Sequence, residues 1–486
     1  MAAVSVLLLY PPLQFAPGAV PKPDGSLGIA YLAGALREAG IDVAVLDAAV
    51  GETGEAFDRR EALPSGLTRV GLSDDAILAA AAPHAVVGVA STFTAQHPRA
   101  IAVVRLIRAA CPDKLVLVGG VSARHFRAEF LAAGADAVFL SEAEREIVAV
   151  VQRFASGSRD FRDIPGLALP WGCTVTPAPL VDLDQLPMPA WDLLPNAAYW
   201  RIGRPHGGAF GKPIRYAEMM TSRGCAFACT YCHLSVETPD RPSGDIGRFR
   251  MKSADRVLRE IDTLRALGVE RVYVEDDSLL AKKARILAIL GMIRDRGLAL
   301  ADVNGVNIAH LYRNDGGALV PDTGLLEALA ACGFEDISLP FESASERILA
   351  TYASRKWSPA RMDTAALVRA CVAAKLPVSG NYMIGFPDET EDEIAATLRM
   401  AREHMDAGLT DANVFLVVPF PGTVLFEEAR DRGYLADDWS PDDMLWFKPV
   451  MRNTTVAPER LLEIRASAWR DLNRPEYVAA RAEASL

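Results

Sequence analysis

Over residues 4–155, short apolar runs alternate with segments whose apolar positions recur at helical spacing. Continuous apolar runs separated by amphipathic helices are typical of a parallel sheet covered by helices on both faces. The predicted strands are 4–10, 42–48, 86–91, 115–119 and 137–140. The predicted helices are 27–40, 74–82, 97–110, 126–134 and 143–154. We therefore predict that residues 1–155 form an α/β domain with a doubly wound, Rossmann-like parallel sheet.

A second series of alternating strands and helices follows residue 213. Its predicted strands are 215–221, 271–275, 302–306, 336–341, 378–384 and 413–418. Its predicted helices include 253–267, 281–296, 323–332, 359–375 and 391–407. Six βα units predict a partial (βα)6 barrel over 214–424, and in such barrels the chemistry lies at the carboxyl ends of the strands.

The remaining parts of the chain are less regular. Residues 156–213 are rich in proline and tryptophan and have little periodicity, which predicts a linker between the two domains. Residues 425–486 predict a small C-terminal helical region that caps the substrate side.

Composition limits the possible partners and the compartment. The 486 residues carry a net charge of −11, which argues against nucleic-acid binding through bulk charge. No apolar run approaches the roughly 20 residues needed to span a bilayer, so we expect no membrane partner. The start, MAAVSVLLLYPP, lacks a positive n-region and is interpreted as a buried strand, not a signal peptide. Seven cysteines, an odd number, fit a reducing cytoplasm better than a disulfide framework.

Three of these cysteines, Cys225, Cys229 and Cys232, lie in the stretch TSRGCAFACTYCHLS, directly after the first barrel strand. Three thiolates can hold three irons of a 4Fe–4S cluster and leave the fourth iron open to a small molecule. The alternatives are structural zinc with a fourth ligand from elsewhere, covalent haem at C-x-x-C-H, and buried free cysteines. His233 is a candidate for a hydrogen bond to a cluster sulfur or to the substrate, or for a packed neighbour of the loop.

The cysteine loop is followed by polar motifs at the ends of later strands: VEDDS, LPFES, GFPDET and VPFPGT. In this order the motifs resemble those of the radical S-adenosylmethionine (SAM) superfamily. The resemblance implies a 4Fe–4S cluster on the three cysteines and SAM as cofactor. The residues that it assigns to SAM are Tyr231, Glu275, Asp276, Asp277, Glu342, Ser343, Ile384, Gly385 and Val418. Local alternatives are a solvated turn at Asp276 and Asp277 and a helix N-cap at Ser343.

The N-terminal segments LGIAYLAGALREAGIDVAVLDA, VVGVASTFT and LVGGVSARHF are similar to the cobalamin-binding domain that precedes many radical SAM cores. This resemblance implies that cobalamin is bound at the strand ends. The residues implied are Pro11, Pro12, Ser91, Thr92, Phe93, Gly119, Gly120, Val121, Ser141 and Glu142. No D-x-H-x-x-G follows the first strand, so no histidine is offered as a lower cobalt ligand. His97 and His125 lie just beyond strand ends, where each is a candidate to approach cobalt or the corrin amides, and a surface histidine at a helix start is the favoured interpretation of each.

Together the two resemblances imply a cobalamin-dependent radical SAM enzyme. The leading prediction is a C-methyltransferase that acts on an unactivated carbon of a small natural-product or cofactor-like molecule. It would take electrons from an external one-electron reductant of the flavodoxin or ferredoxin type. One alternative is a radical SAM cyclase, ring-contraction or rearrangement enzyme. The other is a protein that holds a cluster or cobalamin for binding or electron transfer.

Overall fold

The computed structural model describes residues 4–23, 26–174, 177–204 and 214–483. The chain divides into two compact units. The first comprises the chain as far as Ala217 together with the segment Glu237–Ile246, and the second comprises Glu218–Val236 and Gly247–Glu483. Residues 205–213 of the predicted linker lie outside the described residues.

The first unit is built on a seven-stranded sheet with a small three-stranded sheet beside it. The strands are β1 Ser5–Tyr10, β2 Leu13–Phe15, β3 Asp42–Asp47, β4 Arg60–Ala62, β5 Thr68–Val70, β6 Val86–Ala90, β7 Leu115–Gly119, β8 Ala137–Phe139, β9 Leu167–Leu169 and β10 Gly172–Cys173. The helices are α1 Leu27–Glu38, α2 Asp74–Ala81, α3 His97–Ala110, α4 Val121–His125, α5 Arg127–Ala132, α6 Glu146–Ala155 and α7 Asn196–Ile202.

The large sheet has the order β10-β9-β8-β7-β6-β1-β3, and β2, β5 and β4 form the small one. All pairs from β3 through β8 are parallel, which confirms the predicted doubly wound sheet. Its central strands are apolar throughout because both faces are covered, and Val6, Val86 and Val116 have no exposed surface.

The predicted linker contains structure that the sequence pattern did not indicate. Strand β9 pairs antiparallel with β8 and extends the large sheet, and β10 continues it as a hairpin. Trp191, from the same segment, is 1% exposed, and the Ala190 amide donates to the Ala30 carbonyl at 2.8 Å. This part of the chain therefore completes the first unit.

The second unit carries the other large sheet. Its strands are β11 Tyr216–Met219, which begins at the end of the first unit, β12 Ser222–Arg223, β13 Arg250–Met251, β14 Arg271–Val274, β15 Ala299–Asp302, β16 Tyr312–Asp315, β17 Ala318–Pro321, β18 Phe334–Glu342, β19 Val378–Ile384 and β20 Ala412–Leu416. Its helices are α8 Ala254–Ala266, α9 Lys283–Ile293, α10 Thr323–Ala331, α11 Glu346–Tyr352, α12 Thr364–Ala373, α13 Glu391–Asp406, α14 Val424–Asp431, α15 Pro458–Leu472 and α16 Pro475–Glu483.

The sheet order is β11-β14-β15-β18-β19-β20, and the pairs from β14 to β20 are parallel. This confirms the predicted partial barrel followed by a helical C-terminal region. The third barrel strand was placed wrongly at 302–306, because it ends at Asp302. The chain turns at Gly305, whose φ is +92°, and the Gly305 amide donates to the Asp302 carboxylate at 3.0 Å. Among the described residues, no helix has the length and apolar character needed to cross a membrane.

Candidate functional site

The cysteine loop begins at a tight backbone approach. Gly224 has a φ of +82°, and a Cβ at this position would lie 2.4 Å from the Arg248 carbonyl oxygen. The next amide, of Cys225, donates to the Gly247 carbonyl at 3.0 Å. Only glycine fits such a conformation and such a contact without displacing backbone, so Gly224 fixes the start of the loop.

The middle of the loop is held by other elements of the second unit. The Thr230 amide donates to the Tyr352 carbonyl at 2.8 Å, and the Leu425 amide donates to the Thr230 carbonyl at 2.9 Å. The Ala228 amide donates to the Ser354 hydroxyl at 3.1 Å. The loop conformation is therefore set by backbone hydrogen bonds, which leaves its thiols available for ligation.

None of the three cysteines of the loop is in a disulfide. Burial raises the pKa of Cys225 and of Cys229, and it raises the pKa of Cys232 to about 12. Metal ligation replaces such thiol protons, because the thiolate is the binding form. Within the described ranges, no three acidic, histidine or cysteine side chains converge on one point. In a 4Fe–4S cluster each cysteine binds a different iron, so three separate thiols on one loop fit this group.

A buried charge network lies beside the thiols. Glu342, at the end of β18, is 5% exposed and has a φ of +60°. One of its oxygens accepts hydrogen bonds from the Tyr231 hydroxyl at 3.0 Å and from Lys356 Nζ at 2.6 Å. A non-glycine residue in the left-handed region costs about 1–3 kcal/mol and is typical of functional sites. The structure thus brings together Tyr231 and Glu342, two of the predicted SAM residues.

Lys356 is a site residue that the sequence analysis missed. Burial raises the pKa of the Cys229 thiol, and the Lys356 charge opposes this effect. Burial lowers the pKa of Lys356 itself, but Glu342 and Cys229 more than compensate and the pKa rises overall. The lysine lies in a short polar loop, outside any recognisable motif, so no sequence signal pointed to it.

The acidic turn after β14 separates into different roles. Asp276 has no exposed surface, and its carboxylate accepts from the Thr221 hydroxyl at 2.7 Å and from the Ser222 hydroxyl. It therefore holds the backbone that leads into the cysteine loop. Asp277 is exposed, and its carboxylate accepts a hydrogen bond from the Gly224 amide at 3.3 Å. Burial is the largest cause of the raised pKa of Cys225, and the charge of Asp277 is a smaller cause in the same direction. Of the three predicted acids, Asp277 is the one placed beside the thiols by these contacts, and Glu275 is half-buried.

Ser343 is fully buried and does not cap the helix that follows. Its hydroxyl lies 3.2 Å from the Thr397 hydroxyl and accepts from the Ser345 amide at 3.1 Å. Ser345 is the N-cap of α11, and its hydroxyl accepts from the Ile348 amide. The N-cap alternative for Ser343 is therefore wrong, because the N-cap is Ser345, two residues further along the chain.

The turn after β19 is organised by a buried carboxylate. Ile384 is fully buried, and Gly385, with a φ of +89°, donates its amide to Glu389 at 2.7 Å. Burial raises the pKa of Glu389 to about 8. Val417 lies in the hydrophobic cluster against which Tyr231 packs, whereas Val418 packs in a separate cluster with Phe426. The predicted Val418 is therefore not a member of the cluster against which Tyr231 packs.

His233 has the position of a packed neighbour. Its Nε2 lies 3.1 Å from the Pro421 carbonyl oxygen, and its ring centre lies 6.2 Å from that of Phe420. These contacts tie the cysteine loop to the turn after β20. They match the packing alternative that the sequence left open.

In the first unit, the carboxyl ends of β6 and β7 are tied together. The Ser91 amide donates to the Gly119 carbonyl at 2.8 Å, and the Ser122 amide donates to the Thr92 carbonyl at 3.2 Å. Gly120 has a φ of +115°, and a Cβ there would lie 2.4 Å from the Ser91 carbonyl oxygen. The predicted residues from the two strand ends, with Phe93 and Val121 beside them, therefore form one continuous edge.

Two buried hydroxyls lie at this edge. Ser91 and Ser122 are each 1% exposed, and within the described part of the chain neither hydroxyl has a hydrogen-bond partner. An unsatisfied buried polar group costs about 1–3 kcal/mol and calls for an explanation. A ligand rich in amide groups, such as cobalamin, would supply partners for both hydroxyls. The donor set therefore fits the predicted cofactor.

The other predicted cobalamin residues flank this edge. Pro11 and Pro12 are buried after β1, and Ser141 and Glu142 are half-buried beyond the end of β8. His97 is 2% exposed, so the prediction of a surface histidine at this helix start is wrong. Its ring stacks on Phe126, and its Nε2 lies 3.0 Å from the Glu129 carboxylate. His125, at the end of α4, is half-buried.

Comparisons with known proteins agree with both halves of this description. Residues 24–151 match the model of the B12 binding domain, and residues 219–401 match that of the radical SAM superfamily. A B12 binding domain is thus followed by a radical SAM domain, which confirms the predicted resemblance to the cobalamin-dependent radical SAM superfamily. The protein is a radical SAM enzyme, and its cofactors are a 4Fe–4S cluster, SAM and cobalamin, as predicted.

Two similar proteins align along nearly the whole chain. An uncharacterized methyltransferase of Pyrococcus horikoshii is 28% identical over 96% of this chain and 92% of its own length. Cytidylyl-2-hydroxyethylphosphonate methyltransferase of Streptomyces wedmorensis is 24% identical over 96% of this chain and 90% of its own. The full-length relatives thus include proteins named as methyltransferases.

The fold is shared with a solved structure. The radical SAM methyltransferase TsrM of Kitasatospora setae, with tryptophan substrate and a SAM analogue bound, superposes with a TM-score of 0.66 at 18% identity. The match covers 97% of this chain and 90% of TsrM. A second TsrM structure, with cobalamin and a 4Fe–4S cluster bound, gives a TM-score of 0.65.

Proposed function

We propose that the protein is a methyltransferase that adds a methyl group to an unactivated carbon of a small molecule. The observation that carries this proposal is the alignment of both domains, in the same order, along nearly the full length of two proteins named as methyltransferases. When bound, the cluster supplies the electron that cleaves SAM to methionine and a 5′-deoxyadenosyl radical, and cobalamin supplies a carrier for the methyl group.

The chain's own residues supply ligation, charge and position. We assign Cys225, Cys229 and Cys232 to the three cluster irons, which leaves the fourth iron for SAM. Tyr231, Glu342 and Lys356 form a hydrogen-bonded group beside these thiols. Glu389 fixes the turn at Gly385, another of the residues assigned to SAM. Such fixed groups hold a reactant against the atom that it attacks and keep water out.

The proposed reaction consumes two SAM molecules. The first takes up one electron and splits into methionine and a 5′-deoxyadenosyl radical, which takes a hydrogen atom from the substrate and leaves as 5′-deoxyadenosine. The second gives its methyl group and leaves as S-adenosylhomocysteine. The electrons come from an external one-electron donor of the flavodoxin or ferredoxin type. Such donors and reduced clusters belong to a reducing compartment, so we place the enzyme in the cytoplasm.

A labelling experiment tests methyl transfer before the substrate is known. The reconstituted enzyme is incubated anaerobically with reductant and methyl-labelled SAM, and label is then measured in the protein-bound corrinoid fraction. A methyltransferase is expected to place label there, and with a substrate the label moves into the product. Cytidylyl-2-hydroxyethylphosphonate, named for one relative, is the first molecule to offer.

Two other outcomes would contradict the proposal. If 5′-deoxyadenosine forms while no label reaches the corrinoid or any product, the enzyme is a rearrangement or cyclisation catalyst. If neither 5′-deoxyadenosine nor label appears under strong reductant, the chain is a binding or electron-transfer protein. The unlabelled reaction and the reaction without reductant are the matched controls.

A further inference from the structure

The segment Glu237–Ile246 follows the cysteine loop in sequence but belongs to the first unit. The chain leaves the second unit at Val236 and returns to it at Gly247. Residues in this part of the sequence would be assigned to the SAM half of the protein, since they lie inside the range that matches the radical SAM model. Its packing instead makes it part of the unit that carries the B12 binding domain.

A buried ion pair anchors the start of this segment. Arg124 donates a hydrogen bond to Glu237, 113 positions further along the chain, and the two side chains are 11% and 5% exposed. Burial raises the pKa of Glu237, and the charge of Arg124 opposes the rise. A buried pair gains little net stability over apolar side chains, because both charges lose their water. The buried Arg124–Glu237 pair instead fixes the start of the segment against α4.

The anchor lies at the ligand-binding edge of the first sheet. Arg124 is on α4, which begins directly after β7, and it lies two residues beyond the buried hydroxyl of Ser122. Glu142, beyond the end of β8, is close enough to raise the pKa of Glu237, although less than burial does. Ligands of open parallel sheets bind beyond the carboxyl ends of the strands. The segment therefore begins beside α4, which follows β7, and near the turn that follows β8, where cobalamin residues are predicted.

The far end of the segment packs against the same edge. Gly244 has a φ of +69° and lies close to Pro177. A Cβ added to Gly244 would lie 3.0 Å from the Cβ of Pro177. The neighbouring Ala178 lies close to Gly166, whose carbonyl accepts from the Leu140 amide at 2.9 Å. Ser243 and Ile246 are each 6% exposed. The segment is thus packed at both ends around the region that follows β8.

We propose that Glu237–Ile246 forms part of the wall of the cobalamin site, and that the Arg124–Glu237 ion pair holds it in place. This inference rests on the cobalamin assignment. It adds to the site a segment from outside the N-terminal domain sequence, and it makes Arg124 and Glu237 positioning residues.

The first test measures the wall itself on the wild-type full-length protein. Amide hydrogen exchange is followed with and without hydroxocobalamin. The proposal predicts slower exchange in Glu237–Ile246 as well as at the strand ends near Ser91 and Gly120. If exchange slows at the strand ends but not in Glu237–Ile246, the segment is not part of the cobalamin site. A wild-type protein that binds no hydroxocobalamin would overturn the cofactor assignment and this inference with it, which is a distinguishable result.

The second test measures the anchor. Glu237→Gln is expected to weaken hydroxocobalamin binding by about tenfold or more, because Arg124 then stays buried without its counter-charge. Asp163→Asn breaks the exposed Arg153–Asp163 pair of the same unit and serves as the control, with unchanged binding expected. Wild-type affinity in a folded Glu237→Gln protein would overturn the role of the pair. If this variant does not fold, the exchange measurement on the wild type still decides whether Glu237–Ile246 lines the cobalamin site.

Discussion

Cys232→Ala is expected to abolish both the iron–sulfur cluster and SAM cleavage while leaving the protein folded. The three cysteines of the loop form no disulfide, and in the proposed cluster each binds one iron, so loss of one leaves two irons without a protein ligand. Formation of 5′-deoxyadenosine should fall by at least about a thousandfold, because the reaction has no comparable uncatalysed route. Iron per chain and 5′-deoxyadenosine are the two readouts.

The fold should survive because the loop is held through its backbone. The hydrogen bonds from Cys225, Thr230 and Leu425 to their partners involve main-chain atoms and not the thiols. Cys173→Ala, which changes an exposed free cysteine, is the matched control and should keep full iron content and turnover. A Cys232→Ala protein with undiminished iron and turnover would contradict the cluster assignment.

Lys356→Met is expected to destabilise the protein strongly and to make the cluster harder to reduce. Lys356 and Glu342 are 11% and 7% exposed at the side chain, and their contact is 2.6 Å. Removing one partner of a buried ion pair costs about 3–5 kcal/mol, since the other charge is left uncompensated. The loss of a cation beside Cys229 should also shift the reduction potential of the cluster to a more negative value.

Two further variants separate the two effects. Lys356→Arg keeps the charge and should retain most of the reduction potential. Lys356→Met combined with Glu342→Gln removes both charges, and it should recover stability relative to Lys356→Met alone. Thermal melting and an anaerobic redox titration give the two measurements. Wild-type stability and potential in Lys356→Met would show that this lysine neither balances Glu342 nor acts on the cluster.

The two sheets could be predicted from sequence because their signal is local. Strands such as β6 and β7 are apolar at almost every position, since both faces are covered, and Gly or Ser follows each of them. The cysteine loop could be predicted because three thiols at fixed spacing have few structural uses. The SAM and cobalamin residues came from the two family resemblances, and their roles stay proposals.

Other features depend on long-range contacts that local pattern does not contain. The short strand β9 has three residues and becomes a strand only by pairing with β8, so its segment was predicted as a linker. Lys356 comes next to Glu342 because the chain turns back after α11, and Ser354 and Arg355 adopt positive φ there. Glu237 meets a partner 113 residues away. These three contacts join residues that are distant in sequence or depend on a turn of the chain, so only the folded structure shows them.

The content of iron, sulfide and cobalt per chain tests the cofactor assignment most directly. The full-length protein is reconstituted anaerobically with iron, sulfide and hydroxocobalamin, separated from excess reagents and measured for all three elements. We expect about four irons and four sulfides from one 4Fe–4S cluster, together with about one cobalt per chain. A protein that retains zinc in place of iron, or that retains no cobalt, would contradict this assignment.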